Sequence, residues 1–255
     1  MLGSVSAAAA PLPASVQRLV CPPIRNSHLR GPVGALDMAA LTDLGRRYVH
    51  ASLTFGLELK VAFLMESLGL GAGGEERLRR PFFRLAQEPI AFSWWEALQK
   101  VPLEAEEMAA AASMLNGSQV DHREREICSH GAAGGLLYES PERAASWIDD
   151  IATSDRVDGD PAKQALYRFA RIVMAHPFTD ANGRFARAAL QASLGRSGLI
   201  AGPCLALAPV FYLYAADIRQ AIAGLNRGQS WNDYFERMGA VLAAAVQWAT
   251  AEGRE

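Results

Sequence analysis

Apolar residues recur three and four positions apart along most of the chain, a spacing that predicts amphipathic α-helices. Glycines, prolines and small polar residues separate these stretches and are typical of helix ends and loops. Strand-like alternation is scarce, apart from a short apolar run just before Pro141. We therefore predict an all-α fold with at most one small β-hairpin. The helical pattern covers residues 35–71, 92–117, 160–175, 182–198, 211–228 and 230–253.

Two of these helices have recognisable boundaries. Asp160 and Pro161 are typical of a helix N-cap and first turn, and Gly198 is typical of a residue that follows a helix end. The helix that starts after Asp160 places Leu166 and Phe169 on one apolar face.

Composition divides the chain into three regions. Residues 1–33 are rich in Ala, Ser and Pro and lack the basic start of a secretory signal. We predict that they form a disordered tail, with a leader for a specialised secretion machinery as the alternative. Residues 34–100 are predicted to form an N-terminal helical region that a Gly-rich loop interrupts, and residues 101–255 to form the functional core.

Charge and cysteine content narrow the function classes. The net charge is −2 and the pI about 6.2, so no basic field attracts nucleic acid or an anionic membrane. No apolar run reaches the roughly 18 residues that a membrane span needs. The chain has three cysteines, Cys21, Cys128 and Cys204. Their odd number and wide spacing are typical of reduced thiols. We expect a cytoplasmic protein, with a secreted effector as the alternative.

His122, Cys128 and His130 lie close together in the sequence. Their spacing fits no standard zinc site. We interpret this segment as a solvated helix end.

The densest set of reactive side chains lies at residues 175–190, AHPFTDANGRFARAAL. Pro177 disfavours helical backbone at His176, so one helix ends there. Asp180 to Gly183 are turn residues, and Asn182 is a suitable cap for the next helix. Each of these residues alone is more often structural than functional.

Arginines in the first turns of that second helix point to a bound anion, because a helix N-terminus carries a positive partial charge. With a polyanion present, the backbone N–H groups, Arg184 and Arg187 would converge on one phosphate chain. The spacing of three places both arginines on one helix face. Asp180 could then hold Mg²⁺, and His176 is a suitable base near neutral pH. The residues therefore predict a nucleotide or phosphate-ester site with a metal ion and a base.

The stretch HPFTDANGRFAR resembles the signature of the Fic family, which has a histidine, a phenylalanine, an acidic residue, an Asn-Gly-Arg turn and a second arginine. The matching residues are His176, Phe178, Asp180, Asn182, Gly183, Arg184 and Arg187. Ala181 departs from the pattern, because most Fic enzymes have glycine there. The resemblance extends over roughly residues 134–248. It implies that the core 101–255 is a Fic-type helical bundle with a small β-hairpin flap near the active site.

By this resemblance the chain would be a protein adenylyltransferase that transfers AMP from ATP to a Ser, Thr or Tyr hydroxyl of a target protein. His176 would be the general base, Asp180 would hold Mg²⁺ between the α- and β-phosphates, and Phe178 would belong to the nucleotide site. The resemblance assigns the phosphate contacts to the backbone N–H groups around Ala181, Asn182 and Gly183, the Asn182 side chain (α-phosphate), Arg184 (β-phosphate) and Arg187 (γ-phosphate).

Ala181 leaves such an anion hole intact unless the position needs a positive φ. Alanine there is also similar to the Doc branch, whose members phosphorylate a target. Doc-like proteins typically have lysine where this chain has Gly183 and lack the second arginine, so Gly183 and Arg187 favour nucleotide transfer. Three alternatives stay open: a Doc-like phosphotransferase or transfer from another phosphate-containing donor, an inert Fic-like module that binds nucleotide or a partner, and an enzyme that modifies a small molecule.

The predicted flap offers Leu136, Leu137 and Tyr138 as side chains that could grip the acceptor side of the target. Such a flap would align the target by strand-like pairing.

The segment TFGLEL resembles an inhibitory helix motif, with Thr54 and Glu58 in the expected places. In that motif the glutamate pairs with the second arginine, here Arg187, and blocks productive ATP binding. Leu59 stands where glycine or asparagine is expected, and a solvated Glu58 is the alternative. A homodimer or an antitoxin partner is a further expectation, and the Ala- and Arg-rich composition suggests a bacterial source.

Overall fold

The computed structural model describes residues 16–48, 92–99, 104–131, 134–153, 159–202, 205 and 207–251, and most of these residues are helical. The first five helices are α1 (Asn26–Leu29), α2 (Met38–Tyr48), α3 (Phe92–Gln99), α4 (Ala105–Asn116) and α5 (Pro141–Thr153). The next five are α6 (Pro161–Ala175), α7 (Asn182–Arg196), α8 (Leu207–Leu213), α9 (Ala215–Asn226) and α10 (Trp231–Ala251). The strands are β1 (Val16–Arg18), β2 (Cys128–Gly131) and β3 (Gly134–Leu137). The predicted helical fold is confirmed.

Helices α6 and α7 form the centre of the core. They pack against each other along their length, while α3, α4 and α8 contact α7, and α5 and α10 contact α6. Because neighbours lie on several sides, even polar residues of these two helices are buried. The turn between α6 and α7 is therefore held by rigid elements on both sides.

The start of α6 matches its prediction. Asp160 is the N-cap, and its Oδ1 accepts a hydrogen bond of 3.0 Å from the backbone N–H of Lys163, while Pro161 takes the first helical position. Gly198, expected after the end of the next helix, has the positive φ of 74° that glycine adopts without strain.

A small three-stranded sheet lies beside the helices, with strand order β1-β3-β2. Strands β2 and β3 are antiparallel, with Cys128 opposite Leu137 and Gly131 opposite Gly134. Strand β1 adds to the other edge of β3 in parallel. The sequence indicated at most a hairpin here, so β1 is an addition, and the role of the hairpin as a flap stays a prediction.

The predicted tail 1–33 is wrong for its second half. Residues 16–33 form β1 and α1, and they bury Leu19, Cys21, Leu29 and Val33. The backbone N–H of Leu19 donates to the Leu137 carbonyl at 2.7 Å. The Ala-, Ser- and Pro-rich composition hid these few apolar side chains, whose partners lie far along the chain. Residues 1–15 lie outside the described residues.

The predicted N-terminal region 34–100 is described only through α2 and α3, which pack against α10 and α7. Helix α3 lies so close to α7 that a Cβ on Gly195 would come within 2.5 Å of the Trp95 ring. Across the described ranges, no helix is long and apolar enough to span a membrane.

Candidate active site

The turn from His176 to Ala181, between α6 and α7, carries most of the predicted reactive residues. His176 is the C-cap of α6 in the left-handed conformation, with φ 47° and ψ 57°, and its N–H donates to the Ile172 carbonyl at 2.9 Å. Pro177, which cannot donate a backbone hydrogen bond, then directs the chain away from the helix. The next residue, Phe178, forms an isolated antiparallel bridge with His122. The predicted helix end at His176 is confirmed.

The bridge residue His122 is not at a solvated helix end, contrary to the sequence interpretation. Its Nε2 lies 3.0 Å from the Ala105 carbonyl, and its ring is 5.1 Å from the ring of Phe178. The extended segment that contains His122 therefore forms one wall of the turn. Among the described residues, no group of three His, Cys, Asp or Glu side chains is arranged to hold a metal ion.

Arg123 was missed by sequence reasoning, although it is only 5% exposed and lies directly beneath the turn. Its Nε donates to the His176 carbonyl at 2.6 Å and its Nη2 to the Ala175 carbonyl at 2.8 Å. Nη1 donates to the Arg125 carbonyl at 3.0 Å, and Nη2 also donates to the Glu139 carbonyl. The only sequence signal was a charged run, HREREI, which is usually a solvated face.

The His176 imidazole is stacked on the ring of Tyr138, with centroids 3.8 Å apart and an interplanar angle of 19°. Burial lowers the pKa of His176 to about 4, and the positive charge of Arg123 acts in the same direction. Asp180 and a hydrogen bond to the Val173 backbone oppose this shift. The imidazole is therefore neutral at pH 7 and can accept a proton.

Asn182 closes the turn through its side chain. Its Oδ1 accepts from the Phe178 N–H at 2.9 Å, and its Nδ2 donates to the Phe178 carbonyl at 2.8 Å. Phe178 is fully buried and packs edge-on against Phe185. The resemblance implied that the Asn182 side chain contacts an α-phosphate, whereas here both of its ends bind the turn itself.

Ala181, and not the expected Asn182, is the N-cap of α7. It has φ 62° and ψ 3°, so the position does need the left-handed conformation that favours glycine. Its side chain makes no capping hydrogen bond. The positive end of the α7 dipole therefore has no side-chain acceptor from its N-cap residue, as an anion site requires.

Asp180 is exposed beside this helix start. Its Oδ1 accepts from the Ala181 N–H at 2.6 Å and lies 3.6 Å from Nη2 of Arg184. A largely exposed carboxylate next to the start of a helix suits Mg²⁺, which usually takes one or two carboxylates together with substrate phosphates and water. The residues present therefore fit the predicted metal ion.

The two arginines of the motif point to different places. Arg184 donates to the Leu115 carbonyl at 3.4 Å and to the side chain of Asn116, so it binds the carbonyl end of α4. Its Nη2 also lies 3.6 Å from Oδ1 of Asp180, and the contact with a β-phosphate that the resemblance implied stays a prediction. The guanidinium of Arg187 instead lies over the first turn of α7, with Nη1 3.5 Å from where a Cβ on Gly183 would be.

The predicted flap residues have separate surroundings. Leu137 is 2% exposed and lies in the sheet opposite Cys128, so it is a packing residue and not a surface that could grip a target. Tyr138 follows β3 and contacts His176. Leu136 lies in β3, but its side chain is outside the described part of the structure. Thr54 and Glu58, the predicted inhibitory residues, also lie outside the described residues.

Comparison with known proteins finds a family model and solved structures that resemble this chain. Residues 102–194, which include the whole turn, match the model of the Fic/DOC family. A Fic family protein from Desulfovibrio desulfuricans has a similar fold, with a TM-score of 0.55 and 18% identity, over 91% of this chain and 66% of that one. A Fic domain signalling protein from Bacteroides thetaiotaomicron is similar with a TM-score of 0.51 and 18% identity, over 64% of this chain and 70% of that one. No curated protein matches the sequence.

Proposed function

Because the chain contains a Fic/DOC family domain over residues 102–194, we propose that it is a protein adenylyltransferase that moves AMP from ATP to a target hydroxyl. The family is generally associated with AMPylation or related nucleotidyl transfer. The observation that carries the proposal is the turn between α6 and α7. Within six residues it joins a neutral histidine, an exposed carboxylate and the start of a helix that lacks a side-chain cap.

Phosphate binding would centre on the start of α7. The N–H groups of its first turn and its dipole favour an anion, and the guanidinium of Arg187 lies over the same turn. Gly183 is exposed there and has no side chain of its own to cover these N–H groups.

Asp180 would hold the magnesium ion. Bound there, the ion would neutralise negative charge on the phosphates. Because Asp180 is exposed and already adjoins the helix start, binding needs no rearrangement of the core.

The transfer would proceed in line. The target hydroxyl oxygen attacks the α-phosphorus, the bond from that phosphorus to the bridging oxygen breaks, and pyrophosphate leaves. The hydroxyl proton passes to His176, which is neutral because burial and Arg123 depress its pKa. The negative charge of the phosphates would raise that pKa, making His176 a better base when ATP is bound. Positioning and charge neutralisation supply most of the rate enhancement in such transfers.

The main alternative is phosphoryl transfer of the Doc type, in which the γ-phosphoryl group moves and ADP leaves. Gly183 and Arg187 count against it, because Doc-like proteins typically have lysine at the first position and lack the arginine at the second. An inert module is the other alternative, and the retained His176 and Asp180 count against it. Mass spectrometry separates these outcomes.

Intact mass after incubation with ATP and Mg²⁺ tests the proposal. A gain of one AMP that His176→Ala abolishes supports adenylyl transfer, whereas a gain of one phosphate supports the Doc alternative. If neither appears on the chain or on added candidate targets, calorimetry with ATP distinguishes a binding module from a protein without a nucleotide site. The predicted brake, Glu58 on Arg187, is tested in parallel, because Glu58→Gly should increase the AMP gain.

A further inference from the structure

We propose that Arg123 is a positioning residue for His176, holding the end of α6 and the exit of the β2–β3 hairpin in one fixed arrangement. The proposal rests on the proposed function, because it assigns a role to Arg123 in the same reaction. It concerns a side chain outside the signature motif, 53 positions before the histidine that it holds.

The carbonyl partners of Arg123 show what it connects. Two of them, Ala175 and His176, are at the end of α6. The third, Glu139, follows the hairpin, and the fourth, Arg125, lies at a bend before it. One guanidinium therefore ties the histidine backbone to both sides of the hairpin.

The chemistry of this position suits arginine better than any other residue. A buried cation is costly unless hydrogen bonds satisfy it, and guanidinium has five N–H donors in a rigid fork. The last carbonyls of a helix carry negative partial charge, so the end of α6 also compensates the charge of Arg123. The charged groups that act on it are Glu126, Glu139, Glu142 and Arg18.

The histidine needs such support because its own backbone is unfavourable. A left-handed conformation is uncommon for residues other than glycine, and it persists only where the surroundings enforce it. Nε of Arg123 donates to the His176 carbonyl at 2.6 Å, and the backbone N–H of Arg123 donates to the Pro177 carbonyl at 3.0 Å. Tyr138, next to Glu139, covers the imidazole face. Movement of the hairpin would therefore displace the His176 imidazole through Tyr138 and the His176 backbone through Arg123.

Two variants separate the geometry of Arg123 from its charge. Arg123→Lys keeps the positive charge but cannot make the forked set of bonds, and Arg123→Gln loses the charge as well. Arg168→Lys is the matched control, because Arg168 is also 5% exposed and bonds Ser193 away from the turn. We would measure kcat for AMP transfer, the KM for ATP, thermal stability and the NMR titration of His176. The His176 signal is identified among those of the five histidines by its absence in His176→Gln.

We expect both Arg123 variants to lower kcat by about 10- to 100-fold, the scale expected for a misplaced catalytic group, with little change in the KM for ATP. Arg168→Lys should lower thermal stability to a similar extent while retaining kcat. The pKa of His176 should stay near 4 in Arg123→Lys and rise in Arg123→Gln, because only the second variant removes the neighbouring charge, whereas burial, the larger cause of the low pKa, remains in both.

Equal losses of kcat in Arg123→Lys and Arg168→Lys would overturn the proposal, because they would indicate general destabilisation. An unchanged His176 titration in Arg123→Gln would also overturn it. If the wild-type chain transfers no AMP, the proposed function fails, but the titration of His176 still decides whether Arg123 acts on it.

Discussion

Ala181 stands in the left-handed region, with φ 62°, at the position where the family pattern has glycine. A residue with a Cβ is strained there by roughly 1–2 kcal/mol. Ala181→Gly relieves this strain, and comparison with a second alanine separates the relief from the other effects of the substitution on the free energy of unfolding.

Two costs oppose the relief. Ala181 is 4% exposed, so its methyl group loses burial worth about 0.8 kcal/mol. Glycine also makes the unfolded chain more flexible, which costs about 0.4–1 kcal/mol. The sum is near zero, so the free energy of unfolding of Ala181→Gly alone would not test the reasoning.

Ala189→Gly provides the reference. Ala189 is also 4% exposed and lies within α7, so the substitution has the same two costs without any relief of strain. We therefore expect Ala189→Gly to lose roughly 1–2 kcal/mol more than Ala181→Gly. Urea unfolding of the two variants and the wild type measures this difference. Equal losses in the two variants would show that the backbone of Ala181 is not strained.

Further predictions concern the same turn and helix. Asn182→Ala should lose roughly 2–4 kcal/mol of stability, because it leaves the buried N–H and carbonyl of Phe178 without their partners; urea unfolding measures this. Gly195→Ala should lose about 1–3 kcal/mol through its clash with Trp95, whereas Gly183→Ala, which has room, should change stability by less than about 0.5 kcal/mol in the same assay. The pKa of His176 lies below its ordinary value, so the unfolded chain binds the extra proton between pH 6.5 and about 4 and stability falls as the pH falls through that window. His176→Gln should lack this contribution, on the order of 2–3 kcal/mol, when unfolding is compared at pH 4 and pH 7; parallel pH profiles would contradict it.

Local sequence signals predicted the bounds of α6 and the position of the turn, whereas α1 lies in the predicted tail. Asp160 and Pro161 mark the start of α6 because capping depends on neighbouring backbone groups only. The end of α6 at His176 follows equally locally from Pro177. The left-handed backbone of Ala181 could not be predicted from the sequence, because alanine rarely adopts a positive φ.

Contacts between distant segments were not predictable in this way. Arg123 belongs to a charged run that is usually solvated, and only the fold brings it beneath the carbonyl of His176. Leu19 and Val33 were hidden in an Ala- and Pro-rich stretch, and they are ordered because the core offers them partners. Arg184 was assigned to a phosphate from its place in the motif, but the end of α4 lies within its reach. In each case the deciding partner is far away in the sequence.

The central claim is that the turn between α6 and α7 transfers AMP with His176 as the base. ATP labelled on either the α- or the γ-phosphate, supplied with Mg²⁺ to the wild type, Glu58→Gly and His176→Ala in the presence of candidate target proteins, tests it most directly. The account predicts protein labelling from α-labelled ATP only, strongest in Glu58→Gly and lost in His176→Ala. Labelling from γ-labelled ATP alone, or α-labelling that survives in His176→Ala, would contradict it.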